Sequence, residues 1–442
     1  MLRTRYAFPI AAFVLAVVAL LVLSLVAVAV IRALPGRYAY YLPGPLQELR
    51  HNPHPEILPT PISVQASAPP TATPVPILTP APTVPLTPAS TPTLPPASPV
   101  ASQTPSPMPS PSPEPSPTPT MPVVVALTGI RHEHQGWNNC GPTTLTMLLS
   151  YWGCEKTQQD AAPVLKPDPE DKHVGIYQME AYARDQGFNV ITRVNGSLDR
   201  LKELLRAGFP VMVETWHVRD ARDQLGHYRL VVGYDDTARK FYLYDSLEGP
   251  DVSIGYREMD ELWRVFNRIY MVVYTTPEEW ETVAAILGSD LDDVAMLEQA
   301  LGVARNEALA LPTDCVAYAD CADWVTFSWY NVGASLTALG RHEEAAAAYD
   351  RARQMGLHFR TLWYQFGPYE SYYAVGRHDD VIALANATLA TASNLEESYY
   401  WRGRARLALG DVEGARSDFT TALRYHEDWP PAASALADLD GS

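Results

Sequence analysis

The stretch "HEHQGWNNCGPTTLTMLLSYWG", residues 132–153, decides how this chain is read. One cysteine, Cys140, stands between two asparagines and a Gly-Pro pair. Behind it Leu145, Leu148, Leu149 and Trp152 recur at helical spacing, and Gly153 can stop the helix. Asn139 suits the N-cap and Pro142 suits the first turn, so Cys140 is expected at the start of that helix. Free backbone N–H groups and the macrodipole favour an anion there. A thiol so placed loses its proton more easily and becomes a better nucleophile. The same N–H groups can hold the oxyanion of an acyl transfer. Gln135, in the loop five residues upstream, carries an amide that could act as a second donor. Local mechanics fit a buried structural cysteine equally well, so both readings of Cys140 stay open at this point.

The whole chain has 442 residues, enough for two or three domains. Its net charge of −17 argues against a nucleic-acid partner, which would need a basic face. Four cysteines do not make a disulfide scaffold at this length. Cys315 and Cys321 are close enough for a local disulfide, with two free thiols as the alternative. Cys154 is expected to face the core. His132, His134 and Cys140 lack a fourth ligand for a metal site, and no cofactor is expected. His173 and His217 sit in charged surroundings and read as surface residues.

Upstream, residues 7–31 form an uncharged apolar run of roughly the ~20 residues that cross a bilayer as a helix. Arg3 and Arg5 precede it, and Arg32 and Arg37 follow, so charge alone barely orients it. A cleaved signal peptide ending near the Ala-Val-Ala at 27–29 is the alternative to a retained anchor. Residues 53–122 are rich in Pro, Thr, Ser and Ala. Proline removes donors and fixes φ, so neither helix nor sheet propagates there. As a semi-rigid polyproline II spacer this tract would reach on the order of 100–200 Å. Stalks of such composition usually stand outside the cell. The expected arrangement is residues 1–6 inside, a span over 7–31, and the bulk of the chain outside; a cytoplasmic tether is the alternative.

From 124 to 276 the pattern is α+β. Helices are expected at "GPTTLTMLLSYWG", "IYQMEAYARDQG" and "SLDRLKELLRAG", the last with Ser197 as N-cap. Strands are expected at "FNVITRV", "PVMVETW", "GHYRLVVGYD", "KFYLYDS" and "RIYMVVYTT". His227 begins one strand and Asp245 ends the next. An odd-length turn over 235–239, pairing Tyr234 with Lys240, would put Asp245 beside Arg229 and one pleat from His227. An even turn would send Asp245 to the other face. A carboxylate within reach could hold the imidazole's tautomer and its charged form. Each residue alone reads equally as an ordinary edge His or turn Asp.

Taken together, "QGWNNCGPTTLTMLLSYWG", "LKELLRAGFPVMVET", "GHYRLVVGYD" and "FYLYDS" resemble the C39-like branch of papain-fold cysteine peptidases, over roughly 124–275. The resemblance implies Cys140 as nucleophile, His227 as general base, Asp245 as its orienter and Gln135 in the oxyanion hole. Papain-type enzymes usually place the Gln six residues before the Cys. Here His134 holds that place, and the Asn138 amide is a substitute donor. The family often follows the Asp with Pro, where this chain has Ser246. No Walker-type loop accompanies the domain, so leader processing coupled to export is not implied.

From 285 to 440 the chain reads as helical repeats. Gly333, Gly367 and Gly403 recur, as do Gly340, Gly376 and Gly410, at a period near 34 that resembles the tetratricopeptide repeat. Pro368 weakens the middle copy, and 290–311 reads as an earlier degenerate one. The expected protein is a membrane-anchored, extracytoplasmic thiol hydrolase acting on a peptide or protein, whose repeats bind a protein or peptide partner. The alternatives are a catalytically inactive binding or scaffold protein, and acyl transfer to an amine.

Overall fold

A computed structural model describes residues 7–33, 46, 57–62, 123–218, 223–310, 314–316 and 321–441. The tract at 63–122, most of the expected linker, lies outside the described residues. Helix α1 covers Ala7–Ala33, 27 residues. Its side chains are described only at Phe13 and over 16–32, which is shorter than the ~20 residues of a full span. Among the described residues, therefore, no helix is long and apolar enough to cross a membrane. The expected span over 7–31 is not supported on that basis.

The α+β region is one antiparallel sheet with helices on both faces. Its elements are β1 (Val124–Ala126), α2 (Cys140–Ser150), α3 (Gln158–Leu165), α4 (Ile176–Asp185), β2 (Asn189–Arg193), α5 (Leu198–Arg206), β3 (Val211–Val218), β4 (Gln224–Asp235), β5 (Lys240–Asp245), β6 (Gly249–Gly255), α6 (Tyr256–Arg264) and β7 (Tyr270–Tyr274). The strand order is β2-β7-β3-β4-β5-β6, and β1 pairs with the end of β4. One face, through Met212, Tyr228, Leu230, Val232 and Met271, packs on α2 and α4. Residues 141–150 of α2 are buried all round, so the amphipathic pattern understated this helix. It is the central helix of its layer, which is why polar Thr143, Thr144 and Thr146 are buried with Leu145 and Leu148. Sequence patterning missed α3, β1, β6 and α6. Short elements with Pro163, Pro250 or Gly255 inside or beside them carry little periodic signal.

The opposite face of the sheet continues without a break into the helical region. That region comprises α7 (Pro277–Leu287), α8 (Asp293–Leu309), α9 (Ala322–Ala338), α10 (His342–Gln354), α11 (Gly367–Ala374), α12 (His378–Thr391), α13 (Glu396–Ala408), α14 (Val412–Tyr425) and α15 (Pro430–Gly441), with a short 3-10 turn over Phe359–Trp363. One apolar core joins Val213, Trp216 and Val231 of the sheet to Phe327, Tyr330, Leu362 and Tyr372 of the helices. Polar contacts reinforce the seam: Asn331 Nδ2 donates to the Arg264 carbonyl at 2.7 Å, and Arg264 lies 3.3 Å over the Trp324 ring. Cys315 and Cys321 form a disulfide.

The recurrent glycines have two jobs. Gly340, Gly376 and Gly410 take φ of +71°, +75° and +87° at the turns between paired helices. Gly333 and Gly403 let helices approach closely. A Cβ at Gly333 would sit 2.5 Å from the Tyr349 ring, and one at Gly403 would sit 2.6 Å from Phe419. Tyr349 is fully buried and hydrogen-bonds Thr337, so it cannot step aside. Gly333→Ala should therefore destabilise the fold by about 1–3 kcal/mol despite its better helix propensity. Gly302 on α8 has nothing within 4 Å of where a Cβ would stand, so Gly302→Ala should stabilise by up to about 1 kcal/mol. Paired urea titrations of the two variants check both signs.

The segment Ile57–Ile62 departs from the expected linker. It bridges His358 through Ile57 and donates from Leu58 N–H to the Leu357 carbonyl at 2.8 Å. It is held by side chains of α10 and α12, not left as spacer.

Candidate active site

Cys140 is the first residue of α2, as its sequence context implies, and it is half-buried. The N-cap is Asn139, but its side chain makes no capping bond. Its Nδ2 instead donates to Gln158 Oε1 at 3.2 Å. Gln158 is buried and organises the loop before Cys140. Its Oε1 also accepts from Gly136 N–H at 2.7 Å, and its Nε2 donates to the His134 carbonyl at 2.7 Å. Asn138 sits at φ +53°, a left-handed conformation that asparagine tolerates, and donates Nδ2 to the Glu170 carbonyl at 3.2 Å. One of the two N–H bonds of that amide is thus committed to the loop wall. Lys166 Nζ closes the same wall on the Trp137 carbonyl at 2.8 Å, and burial lowers its pKa to about 8.

His227 lies three residues inside β4, not at its start. The turn between β4 and β5 is even, because Asp235 pairs with Lys240. By parity alone Asp245 would then point to the wrong face. A β-bulge between Val231 and Gly233 absorbs the extra residue, so Leu230 pairs with Tyr244 and Val231 with Leu243. Asp245 consequently arrives beside Arg229 and His227 after all. His227 Nε2 meets Asp245 Oδ1 at 2.8 Å, and Arg229 Nε donates to Asp245 Oδ2 at 2.8 Å.

Asp245 is fully buried and saturated with donors. Its Oδ1 also accepts from Leu247 N–H at 2.8 Å and Glu248 N–H at 3.0 Å. Burial raises its pKa, but the charges and hydrogen bonds of His227 and Arg229 outweigh this and hold it well below the carboxylate range. Arg229 is fixed in turn by Thr215 Oγ1 at 3.0 Å and by His217 Nδ1 at 2.8 Å. His217 is thus a buried partner of the network, not a surface residue. His173 also departs from the surface reading: it packs edge-on against Tyr364 and Phe366 of the helical region, and burial lowers its pKa to about 4.

With Nε2 on Asp245, the remaining nitrogen of His227, Nδ1, is buried and has no hydrogen-bond partner among the described residues. The Cys140 thiol and the Asp245 carboxylate are the two groups whose charge acts on this ring. Burial would lower the His227 pKa, yet the Asp245 charge and hydrogen bond, with the Cys140 thiolate, raise it to about 9. For Cys140 the balance runs the other way. Burial would raise the thiol pKa, but the bond and charge of His227 and the N–H groups of Tyr228 and Gly141 bring it below the ordinary value. The arrangement can hold a thiolate beside an imidazolium.

Gln135 stands in the same loop, linked twice to Ser246. Its N–H donates to the Ser246 carbonyl at 2.8 Å, and Ser246 Oγ donates to Gln135 Oε1 at 2.8 Å. This leaves Nε2 as the donor end of the amide. His132 Nε2 contacts the Asp245 carbonyl at 2.9 Å. Sequence reasoning gave Ser246 no weight, yet it is the residue that fixes the Gln135 amide. Only the antiparallel approach of two loops 111 residues apart reveals this. Ser246→Ala should free the amide and lower the rate of any reaction using that donor by about 3–10-fold, at unchanged thiol reactivity. Parallel activity and alkylation assays check it.

A cysteine at a helix start and a histidine held by a carboxylate on an antiparallel sheet are the residue types of a thiol-imidazole class of site. In line with that class, residues 125–274, about a third of the chain, match the Peptidase_C39 like family. Residues 328–352 match the tetratricopeptide repeat. A C39-like peptidase domain is thus followed by a repeat of that type. A crystal structure of a C39-like peptidase from Bacillus anthracis is similar at 14% identity and a TM-score of 0.27, over 35% of this chain and 98% of its own. Among curated proteins none matches.

Proposed function

We propose that this protein is a cysteine peptidase that hydrolyses amide bonds with Cys140, His227 and Asp245, and with Gln135 in the oxyanion hole. The observation that carries the proposal is the buried pair of Asp245 and His227 at 2.8 Å, whose ring acts on the Cys140 thiol and lowers its pKa. The Cys140 thiolate adds to the substrate carbonyl, and the oxyanion is held by α2 N–H groups and Gln135 Nε2. The His227 imidazolium then protonates the leaving amine. Water, deprotonated by His227, releases the acid and restores the thiol.

The anchor and the location belong to the same proposal. The anchor rests on the uncharged apolar sequence over 7–31, within helix α1 of 27 residues, about 40 Å at ~1.5 Å each. The Pro-rich composition of 63–122 and the Cys315–Cys321 disulfide suit an extracytoplasmic compartment. The repeats supply a surface for a protein or peptide partner.

The test uses the full chain with a proteome-derived peptide library and reads new amino termini by mass spectrometry. New termini that disappear after alkylation of Cys140 support the proposal. An unalkylated chain that yields none leaves the cleft as a binding module instead.

A further inference from the structure

Ile57–Ile62, "ILPTPI", is the only part of the 53–122 tract among the described residues, and it is bound like a peptide ligand. Leu58 is 2% exposed and joins the core shared by sheet and repeats. Its N–H donates to the Leu357 carbonyl at 2.8 Å. The Pro59 carbonyl accepts from Arg353 Nε at 2.8 Å, and Ile62 N–H donates to Asp380 Oδ1 at 3.0 Å. Arg353 and Asp380 form a buried ion pair at 2.9 Å, so the contacts of Pro59 and Ile62 fall on side chains already paired with each other. Gly356 takes φ +91°, and Ile57 Cγ2 lies 3.5 Å from where its Cβ would stand, an ordinary packing distance. The two prolines suit such a groove: they keep the segment extended at little entropic cost and need no donor partner.

We propose that Ile57–Ile62 is an intramolecular strap, held in a groove formed by Arg353, Gly356, Leu357 and Asp380, and that its docking sets the reach between α1 and the catalytic body. Ala33 and Ile57 are 24 positions apart. With the strap docked, that stretch spans at most ~80 Å. With the strap released, the next described residue of the body is Val123, 90 positions from Ala33, and the limit set by it is ~300 Å. The docked strap therefore replaces the long spacer that composition suggests. Residues 62 and 123, which flank the Pro-rich tract, both belong to the one body. The reach half rests on α1 being an anchor; the docking half does not.

Hydrogen exchange on the full chain, resolved by residue in a mass spectrometer, tests the docking. The Leu58 and Ile62 amides should exchange at least ~10-fold more slowly than in a free synthetic peptide of residues 55–64. Leu58→Asp, a change on the strap that leaves the body intact, should abolish protection at both while core amides of β3 stay protected. Free-peptide rates in the wild type, or protection that survives Leu58→Asp, overturn the strap. Neutron reflectometry on the chain in a supported bilayer tests the reach: the body should lie within ~80 Å of the bilayer and move outward in Leu58→Asp. Slow exchange without insertion into the bilayer would refute the anchor and the reach while leaving the docking established.

Discussion

His227→Ala should slow alkylation of Cys140 by on the order of 100-fold near pH 6. In the wild type, the imidazolium holds its proton up to about pH 9 and keeps the thiol ionised below its ordinary range. Deleting the ring removes both the hydrogen bond and the charge that oppose burial. Burial, the largest influence on Cys140, is then opposed only by the Tyr228 and Gly141 N–H groups, and the thiol pKa rises. The rate should follow the thiolate fraction, so the wild-type profile is shifted to lower pH than that of the variant. Cys154, half-buried at the end of the same segment, is the internal control and should label alike in both. Equal pH profiles for Cys140 in the two proteins would remove the thiolate–imidazolium pair from the proposal.

What the sequence held and what it withheld follow from how each feature is encoded. The start of α2 was legible because Asn139, Gly141 and Pro142 punctuate the chain locally. The repeat glycines were legible because steric need recurs with each helix pair. The pairing of His227 with Asp245 was legible near the site and wrong at the turn. The bulge at 232 had only one faint signal, the isolated Gly233 beside it inside a strand pattern. The Gln135 amide, the role of Ser246 and the burial of His217 depend on loops that meet only in the folded chain. The docking of Ile57–Ile62 was hidden for a related reason. Composition describes a tract of seventy residues as one material, whereas six of them bind a groove made three hundred residues later.

Asp245→Asn should cost about 3–5 kcal/mol of stability, more than loss of a single hydrogen bond. Arg229 is 5% exposed and donates to Asp245, Thr215 and His217 at once. Neutralising the carboxylate leaves that guanidinium buried without a counter-charge, and the asparagine amide presents a donor to a donor. Arg229→Met combined with Asp245→Asn should recover part of the loss, because the orphaned charge goes with its partner. The pH dependence gives a second signature. Asp245 has a depressed pKa, so its contribution is present above the ordinary carboxylate range and is lost only as pH falls well below it. His227 has a raised pKa, so its contribution is complete below about 6.5 and is lost as pH climbs through about 9. Wild-type stability should therefore decline between those two values, by roughly 3 kcal/mol if His227 titrates alone. Without the Asp245 charge, nothing but the thiolate opposes the burial of His227, and that alkaline decline should flatten. Urea titrations at pH 6 and pH 9 on both proteins measure the two slopes; parallel slopes would mean that Asp245 does not hold the proton on His227.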